Sequence, residues 1–456
     1  MNRELSTKGT QNKAYPKYKP SGVEWLGDVP EHWGVKRIDF LASVKARLGW
    51  KGLTADEYVQ EGFIFLSTPN IKGENDIAFR DVNYISKERY FESPEIILKE
   101  GDVILAKDGS TLGTVNRVKS LPAPATVNSS LAVIRPKSTL NSEFLFRWIA
   151  SPIIQSLIGK FKDGQGVPHL FQADIRKFLV LFPPLPEQQA IAAFLDRETG
   201  RIDTLIAKKQ RLLELLAEQR TALISSTVTK GLDAKVKLKP SGVEWLGDVP
   251  EHWEVKKIVF LLSKIQDGTH FSPESDFSGD YLYITAKNIK EWGFDFSEIT
   301  YVSKEAHQEI YKRCPVKKGD VLYIKDGATA GIATVNNLDD EFSMLSSVAM
   351  LRPKYRELNS RYLAYHLNSR GFKNFALNSL VGGAMTRFTI EIIRKFRIIT
   401  PPLPEQQAIA AFLDRETAKI DTLSARVSTV IERLKEYRTA LISSAVTGKI
   451  DVRGKE

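Results

Sequence analysis

The chain is 456 residues long and has a mass of 51.3 kDa, which is too much for one ordinary domain. Its formal net charge of +10 favours an anionic partner, most often a nucleic acid double helix, over the alternative of a merely soluble basic surface. A single cysteine, Cys314, excludes an intramolecular disulfide and a thiolate-only metal cluster, and the six scattered histidines have no zinc-ligand spacing, so no metal site is predicted.

The N-terminal segment MNRELSTKGTQNKAYPKYKP is polar and lacks the apolar core of a secretory signal. No stretch of about eighteen uncharged apolar residues occurs elsewhere, so a membrane-spanning helix is not expected. We therefore predict a flexible tail over residues 1–14 and a protein that works in the reducing cytoplasm.

A segment rich in turn-forming residues follows the tail and returns almost unchanged later in the chain. The sequence KPSGVEWLGDVPEHW occupies Lys19–Trp33 and again Lys239–Trp253, and we call each copy a strap. The prolines and tryptophans of each strap suit a rigid segment that packs on a surface. We expect packing, rather than the alternative of ligand binding, from Trp25 and Trp33 and from Trp245 and Trp253.

Two inserts of similar length, Gly34–Phe182 and Glu254–Thr400, follow the straps. They share short motifs in the same order, such as KEGDVILAKDGS and KKGDVLYIKDGA, but differ in most residues. Short apolar runs at Val103–Ala106 and Val321–Ile324, bounded by turn signals, predict strands. Later stretches near residues 142–159 and 360–375 predict helices, so each insert is expected to be a compact mixed domain.

A second repeated segment, PPLPEQQAIAAFLDRET, follows each insert and opens a proline-free stretch of about forty residues. Proline is tolerated in a first helical turn, and Gly231 and Gly448 are expected helix stops. Apolar residues recur at alternating spacings of three and four, which predicts a coiled-coil seam with polar interruptions at Glu198, Lys209, Gln219 and Glu416. The predicted seam residues are Leu195, Ile202, Leu205, Leu212, Leu216 and Leu223 in the first helix and Leu413, Ile420, Leu423, Val427, Val430, Leu434 and Leu441 in the second.

The duplication predicts the arrangement of these parts. We expect an α+β fold in which two mixed α/β globular domains are separated by two long α-helices, which form an antiparallel coiled coil with internal pseudo-twofold symmetry. The alternative is two separate amphipathic helices that each cap their own domain. The predicted bounds are a tail at 1–14, the first domain at 15–182, the first helix at 183–232, the second domain at 233–400, the second helix at 401–451 and a tail at 452–456.

Sequence motifs of catalysis are missing, so no catalytic residue is predicted. The chain has no phosphate-binding glycine loop followed by Lys and Ser or Thr, no GxSxG elbow and no HExxH helix. A lysine beside an aspartate occurs in each insert, but the preceding apolar run and the following glycine favour a turn at a strand end over a nuclease fragment.

Two loops in each insert are the predicted contacts to DNA. The Lys-Asp-Gly turns follow the predicted strands, and the glycine-rich loops at 162–171 and 381–388 differ between the inserts. Polar and basic side chains on such loops contact phosphates and base edges, although a variable solvated loop is the alternative for each residue. The candidates are Lys107, Ser110, Thr111, Lys162, Gln165 and His169 in the first insert and Lys325, Thr329 and Arg387 in the second.

The order of these segments resembles the specificity subunit of type I restriction-modification enzymes, from about Lys19 to Asp451. The specific signal is EQQAIAAFLD, which is used twice before a heptad helix. The resemblance implies two target-recognition domains, each reading one half of a split site on double-stranded DNA, and a helical spacer between them. It also implies two methylation subunits that use S-adenosylmethionine to modify adenine N6, and restriction subunits that use ATP and Mg, so that this chain has no cofactor of its own.

The repeated helix entries are candidates for docking the methylation subunits, because a partner used twice requires the same surface twice. The candidate residues are Glu187, Gln188 and Gln189 and their counterparts Glu405, Gln406 and Gln407. Packing of these residues onto their own domain is an equal alternative. Two rival classes of protein also stand beside this interpretation: a coiled-coil scaffold that does not read DNA, and a stand-alone DNA-modifying enzyme.

Overall fold

The computed structural model describes residues 14–47, 53–73, 77, 79–161, 168–291, 293–378 and 387–454. The chain forms two compact units, unit 1 from Met1–Lys209 and Thr429–Glu456 and unit 2 from Gln210–Ser428. Each unit is larger than a predicted domain because it combines one insert and one strap with a part of each long helix.

Unit 1 begins with the paired strands of its strap and a short helix, and a sheet and further helices follow. In the described residues its α-helices are α1 Ile38–Leu41, α2 Lys87–Phe91, α3 Ser142–Ala150, α4 Pro152–Gly159, α5 Gln172–Lys177, the first part of α6 Leu185–Lys230 and the last part of α12 Leu403–Val446. Its strands are β1 Tyr18–Pro20, β2 Asp28–Pro30, β3 Gly34–Arg37, β4 Ala42–Ala46, β5 Phe63–Leu66, β6 Asn83–Ile85, β7 Val103–Ala106, β8 Val115–Arg117, β9 Ala125–Val127, β10 Leu131–Pro136 and β11 Leu179–Phe182.

Unit 2 repeats this order with a longer α8 and one additional strand pair. Its helices are the last part of α6, α7 Ile258–Leu261, α8 Lys304–Arg313, α9 Ser360–Asn368, α10 Arg370–Asn378, α11 Ile390–Arg394 and the first part of α12 Leu403–Val446. Its strands are β12 Leu238–Pro240, β13 Asp248–Pro250, β14 Glu254–Lys257, β15 Leu262–Asp267, β16 Tyr281–Ile284, β17 Ile289–Lys290, β18 Gly293–Phe294, β19 Thr300–Val302, β20 Val321–Ile324, β21 Ala333–Val335, β22 Ser343–Met344, β23 Val348–Pro353 and β24 Arg397–Thr400.

A four-stranded antiparallel sheet lies at the centre of each unit, in the order β4-β10-β7-β8 in unit 1 and β15-β23-β20-β21 in unit 2. Successive residues of a strand face opposite sides, and both sides of β10 are buried: Ala132 and Ile134 join one apolar cluster, while Leu131 and Val133 join another. The apolar runs predicted to be strands are β7 and β20, with the bounds expected from the sequence. Burial on both faces explains why these runs do not alternate.

The helical stretches predicted near 142–159 and 360–375 are each two helices instead of one. The break falls at Ser151 in unit 1 and at Ser369 in unit 2, where the backbone is extended. Each serine hydroxyl donates a hydrogen bond to a carbonyl three residues earlier, of Trp148 and His366 respectively. A serine that bonds locally to the backbone competes with helix continuation, which accounts for the turn between the two helices.

An ion pair with a buried carboxylate links one inner strand of each central sheet to the residue before the other inner strand. Arg135 donates two hydrogen bonds to Asp102, from Nε to Oδ1 at 2.7 Å and from Nη2 to Oδ2 at 2.8 Å. Arg352 donates the same two hydrogen bonds to Asp320, each at 2.8 Å. The Asp102 carboxylate also accepts the Lys99 amide at 2.7 Å. The hydrogen bond to Asp102 raises the pKa of Arg135, so the guanidinium remains charged.

We expect Arg135→Met to lower the free energy of unfolding by about 3–5 kcal/mol, because it leaves the Asp102 carboxylate buried without its partner. The change is measured by calorimetry or by urea unfolding. Lys318→Met is the matched control, since Lys318 and Asp339 form an exposed pair and loss of such a pair costs about 1 kcal/mol or less. Equal effects of the two substitutions would contradict a structural role for the pair of Arg135 and Asp102.

Each strap closes on the beginning of one long helix and the end of the other. In unit 1 the buried Trp33 donates its indole N–H to Glu187 Oε1 at 3.0 Å, and His32 Nε2 lies 2.7 Å from Glu187 Oε2. The Gly448 carbonyl accepts the Tyr18 hydroxyl at 3.0 Å. Gly448 has a φ of +71°, and a Cβ there would lie 2.5 Å from Pro30 Cδ, so only glycine fits.

The strap of unit 2 keeps the histidine and glycine contacts, but the indole N–H of its buried Trp253 has no hydrogen-bond partner among the described residues. His252 Nε2 lies 2.9 Å from Glu405 Oε2, and Gly231, with a φ of +77°, faces the buried Trp253. The predicted helix stops at Gly231 and Gly448 therefore lie one or two residues beyond the ends of α6 and α12. Of the four predicted tryptophan anchors, Trp25 differs from the rest because it is 36% exposed.

The two long helices pair antiparallel within each unit, which agrees with the arrangement expected from the duplication. In unit 1 Arg438 Nε lies 2.8 Å from Asp203 Oδ1, and in unit 2 Arg220 Nε lies 3.1 Å from Asp421 Oδ1. Asp203 and Asp421 hold the same position of the repeat, as do Arg220 and Arg438. The two ion pairs are therefore reciprocal, as internal twofold pseudosymmetry requires.

Several predicted seam residues are more exposed than the prediction requires. Leu205, Leu423 and Val430 are exposed at 41%, 45% and 39%, and Leu212, Leu223 and Leu434 are half-buried. Leu195, Ile202, Leu216, Leu413, Ile420, Val427 and Leu441 lie buried.

These buried residues are the anchors of the seam. The next seam position lies four residues after each anchor, whereas the predicted pattern placed it three residues after. It is occupied by Thr199 and Thr417, which bond to the carbonyls four residues back at 2.7 Å, and by Arg220 and Ile431. The predicted residue and the more buried one are therefore neighbours in the sequence at these turns. None of the helices in the described ranges is both long and apolar enough to cross a bilayer.

Candidate nucleic-acid interface

The loop after β7 in unit 1 is held by a backbone and side-chain clamp. The Lys107 amide donates to the Ser130 carbonyl, and the Lys107 carbonyl accepts the Leu170 amide, both at 2.9 Å. The lysine side chain turns inward, where only 8% of the residue is exposed, and its Nζ lies 3.0 Å from Asp108 Oδ2. The other Asp108 oxygen contacts His169 Nδ1, so Asp108 joins the two predicted DNA loops.

The loop after β20 in unit 2 has the same clamp. The Lys325 amide donates to Ser347 at 2.9 Å, and its carbonyl accepts the Phe388 amide at 2.7 Å. Lys325 is 2% exposed, and its Nζ lies 3.2 Å from Asp326 Oδ2. Asp326 Oδ1 lies 3.4 Å from Arg387 Nε. An equivalent aspartate therefore lies beside a different side chain in each unit, His169 in unit 1 and Arg387 in unit 2.

A polar cleft of about 560 Å³ opens beside the clamp of unit 1. Its lining residues are Arg47, Lys107, Asp108, Ser129, His169, Phe171, Gln172, Ala173 and Arg176. Phe171 projects from the rim with 63% of its surface exposed, and its ring meets the His169 ring edge-on at 4.3 Å. The cleft thus combines basic donors with an exposed aromatic surface, which suits contact with an anionic, stacked polymer.

Unit 2 has a different cleft beside its clamp. It measures about 510 Å³, and its lining residues are Ala286, Lys287, Asn288, Lys290, Asp295, Ser297, Glu298, Asp326, Gly327, Ala328 and Thr329. Both lysines reach this cleft from the segment that follows β16. The two clefts are therefore built from different stretches of the insert and carry different donors.

Lys325 also contacts a second cluster of charged side chains, centred on Asp267. Asp267 receives Arg313 Nη2 at 2.9 Å, His270 Nε2 at 3.1 Å and Lys325 Nζ at 3.5 Å. Burial raises the pKa of Asp267, but the hydrogen bond from Arg313 and the nearby cations outweigh burial, and the net pKa is lowered. The carboxylate therefore stays ionised and fixes Lys325 in its inward position.

The predicted DNA contacts occupy three kinds of environment. Ser110, Thr329 and Arg387 are exposed, while Thr111 and His169 are half-buried. Lys107 and Lys325 are buried and paired with aspartate, so they are not presented freely at the turn as expected. Lys162 and Gln165 lie outside the described residues. DNA contact by each of these residues stays a prediction.

Sequence reasoning missed several residues of these clefts. Asp108 and Asp326 were taken as parts of a turn, although the repetition of Lys-Asp-Gly in both inserts was the available signal. Arg176 and Gln172 lie on α5, and Lys287 and Lys290 follow β16, where no motif marks them. Side chains from distant segments meet only through the fold, so their proximity has no local pattern.

The repeated helix entries mostly face their own unit. Gln188 is fully buried; its amide oxygen accepts the Asn141 amide at 2.8 Å, and its Nε2 donates to the Pro183 carbonyl at 2.8 Å. Gln406 makes the equivalent bonds to Asn359 and Pro401. Glu187 is also buried and Glu405 is half-buried, whereas Gln189 and Gln407 are exposed. Packing onto the unit accounts for the glutamines at 188 and 406, and docking remains a prediction for the exposed pair.

No group of three or more His, Cys, Asp or Glu side chains is arranged to hold a metal ion within the described ranges. Each unit instead has a polar cleft beside its clamp, and the two units share the same order of elements.

Comparison with known proteins identifies this arrangement. The family model of the type I restriction-modification DNA specificity domain matches the chain twice, at residues 30–215 and 250–433, which together make up most of its length. The chain belongs to this family. Each match contains one insert and the beginning of one long helix, so the family unit corresponds to the repeat seen in the sequence.

Relatives of this specificity subunit extend over nearly its whole length. The specificity subunit of the type I restriction enzyme MjaVIII from Methanocaldococcus jannaschii is 25% identical, with 93% of this chain and 94% of the relative covered. The EcoKI specificity subunit of Escherichia coli K12 is 19% identical, with 93% and 90% covered.

Solved structures share the fold. A chain from a study of complex assembly and conformational transition of the type I R-M system has a TM-score of 0.70 at 20% identity, covering 92% of this chain and 99% of that one. The crystal structure of the HsdS subunit from Thermoanaerobacter tengcongensis has a TM-score of 0.56 at 19% identity, covering 92% and 98%.

Membership of the family gives the role of the chain. It is a DNA-recognition subunit of a type I restriction-modification system and is itself non-catalytic, since catalysis in such systems lies on partner methylation and restriction subunits. A scaffold that does not read DNA and a stand-alone modifying enzyme are not favoured.

Proposed function

We propose that each unit reads one half of a bipartite, asymmetric site on double-stranded DNA, unit 1 around His169 and unit 2 around Arg387. The observation that carries the proposal is the shared clamp, in which equivalent aspartates lie beside unlike side chains. A repeated scaffold that presents different donors at the same place suits two different half-sites. The target is therefore expected not to be a palindrome.

The chemistry of the two clefts supports this division. An arginine guanidinium forms paired hydrogen bonds with the O6 and N7 acceptors of guanine, and serine, threonine and lysine contact phosphates and base edges. The Asp108 carboxylate contacts His169 and the Asp326 carboxylate lies 3.4 Å from Arg387, so both side chains lie beside their clefts. The buried lysines 107 and 325 take the role of supports for the clamp.

The paired long helices are proposed to set the distance between the half-sites. Half-sites read from one face of DNA lie about 34 Å, or a multiple of this, apart. A helix of about forty residues extends roughly 60 Å at 1.5 Å per residue, which is sufficient for such a span. The reciprocal ion pairs Asp203–Arg438 and Asp421–Arg220 support a fixed register between the helices.

Two methylation subunits and the restriction subunits are the proposed protein partners, in a cytoplasmic complex. S-adenosylmethionine, ATP and Mg belong to those partners in this proposal, and adenine N6 is the proposed site of methylation. The twofold repetition of the chain supports two copies of the methylation subunit.

Methylome sequencing of a host that expresses this chain with its methylation subunit tests the proposal. The expected motif has two unlike halves and a fixed gap. Arg387→Ala is expected to relax one position within the half read by unit 2, at a cost of about 1–3 kcal/mol in discrimination. Arg426→Ala is the control, since this exposed arginine lies on α12 outside the inserts.

A palindromic or uninterrupted motif would contradict the reading of separate halves. Changes in both halves after the Arg387 substitution would contradict the assignment of that side chain to one of them.

A further inference from the structure

One exposed aromatic side chain recurs at the same place in both units. Phe40 on α1 is 66% exposed, and Phe260 on α7, its counterpart in the repeat, is 64% exposed. In each four-residue helix the flanking apolar side chains are buried, Ile38 and Leu41 in unit 1 and Ile258 and Leu261 in unit 2. The largest apolar side chain of each helix is therefore the one left in solvent.

The backbone beneath these phenylalanines is held by the same bonds in both units. The amides of Ile38 and Ile258 donate to the carbonyls of Phe178 and Phe396, each at 2.8 Å. Lys137 Nζ donates to the Phe40 carbonyl at 2.9 Å, and Lys354 Nζ donates to the Phe260 carbonyl at 2.8 Å. These hydrogen bonds hold the backbone of each phenylalanine in place, which lowers the conformational entropy lost when a partner binds the side chain.

The register of the central sheet places these phenylalanines away from the proposed DNA clefts. In unit 1 α1 leads into β4 at Ala42, which pairs with Pro136, whereas the clamp follows the other end of the sheet, where Ala46 pairs with Ala132. At about 3.4 Å per residue the two ends are roughly 14 Å apart. Unit 2 has the same polarity, with Leu262 opposite Pro353 and Asp267 opposite Ala349.

Basic side chains lie next to both phenylalanines. Arg37 and Lys137 contact Phe40, and Lys354 contacts Phe260, while Asp39 pairs with Arg37. A complementary partner surface has an apolar socket for one phenyl ring and an acidic rim. Aromatic residues that enter such a socket commonly dominate the energy of an interface.

We propose that Phe40 and Phe260 are equivalent anchors for the two methylation subunits, one on each unit. The proposal rests on the role and partners given under Proposed function. Repetition supports an identical partner bound twice, because the residues around the phenylalanines, VKRIDFL in unit 1 and VKKIVFL in unit 2, are largely shared as well. One ring is too small for a stable interface, which buries more than about 1,000 Å²; each phenylalanine is therefore the anchor of a larger contact surface.

Complexes of the full chain with its methylation subunit, counted by native mass spectrometry and titrated for affinity, test the proposal. Phe40→Ala or Phe260→Ala alone is expected to weaken the binding of one methylation subunit by about 30-fold or more and to leave the other bound. The double variant is expected to lose both. Phe40→Leu and Phe260→Leu are expected to retain most of the affinity, and a circular dichroism melt confirms folding of every variant.

Phe277→Ala is the matched control, because Phe277 is 76% exposed but Gln60 stands at its position in unit 1. Full binding of two methylation subunits by the folded double variant would overturn the proposal while leaving the DNA-reading function intact. Loss of DNA affinity or of self-association, with binding of the methylation subunits unchanged, would also overturn it. A failure of the proposed function would appear separately, as the absence of a bipartite motif in the unmodified complex.

Discussion

Exchange of residues 34–182 for the corresponding insert of another family member is expected to replace one half of the DNA target and to leave the other half unchanged. The reason lies in how the insert joins its helix. Gln188 holds the insert through backbone groups, the Asn141 amide at 2.8 Å and the Thr139 carbonyl at 3.2 Å. These bonds do not depend on the insert's side chains, so a different sequence can occupy the same frame.

Methylome sequencing of the chimera with the same methylation subunit measures the result. The reciprocal exchange of residues 254–400 is the matched experiment, since Gln406 binds the Asn359 amide and the Glu357 carbonyl in the same way. The two chimeras are expected to alter opposite halves. An unchanged target, or a change in both halves after either exchange, would refute the assignment of one half-site to each insert.

Removal of one heptad from both long helices is expected to abolish methylation of the natural bipartite site while preserving the base preferences of each half. Deletion of 207–213 together with 428–434 removes segments that lie between the two reciprocal ion pairs. Seven helical residues correspond to about 10 Å, or roughly three base pairs, and three base pairs also turn a half-site by about 100° around the DNA axis. Selection from a library with random gap lengths measures both effects.

Deletion in only one helix is the matched control for register. It moves Asp203 and Asp421 out of reach of Arg438 and Arg220 in at least one unit, so we expect a lower melting temperature than for the paired deletion. Retention of the natural gap by the paired deletion would show that the helices do not set the spacing.

The sequence predicted much of the architecture because the repeat and the helical periodicity are long signals. The β7 and β20 runs, the proline entry and glycine end of each long helix, and the antiparallel pairing all follow from local patterns or from the duplication. The seam was less predictable, since a position three residues after an anchor and one four residues after it differ by a single step. At that step Ser424 carries less apolar surface than the exposed Leu423, so the pattern selected the leucine.

The candidate DNA clefts were predictable only in part, for a different physical reason. The Lys-Asp-Gly turn was visible, but the partner of Asp108 is His169, sixty-one residues later. The inward turn of Lys325 depends on Asp267, which lies on another strand. Such pairs are fixed by strand register and by burial, and neither is present in a short stretch of sequence.

The closure of the first strap by the end of α12 determines the order in which the protein is completed during synthesis. Unit 2 is continuous in the chain, whereas the core of unit 1 requires Leu441, Ile442, Ala445 and Val446 from its last turns. Unit 1 therefore begins before unit 2 in the chain, but its core is completed after that of unit 2. Nascent chains generally fold from the N-terminal domain onward, but here the core of unit 1 keeps an apolar face uncovered until the end of α12 has been synthesised.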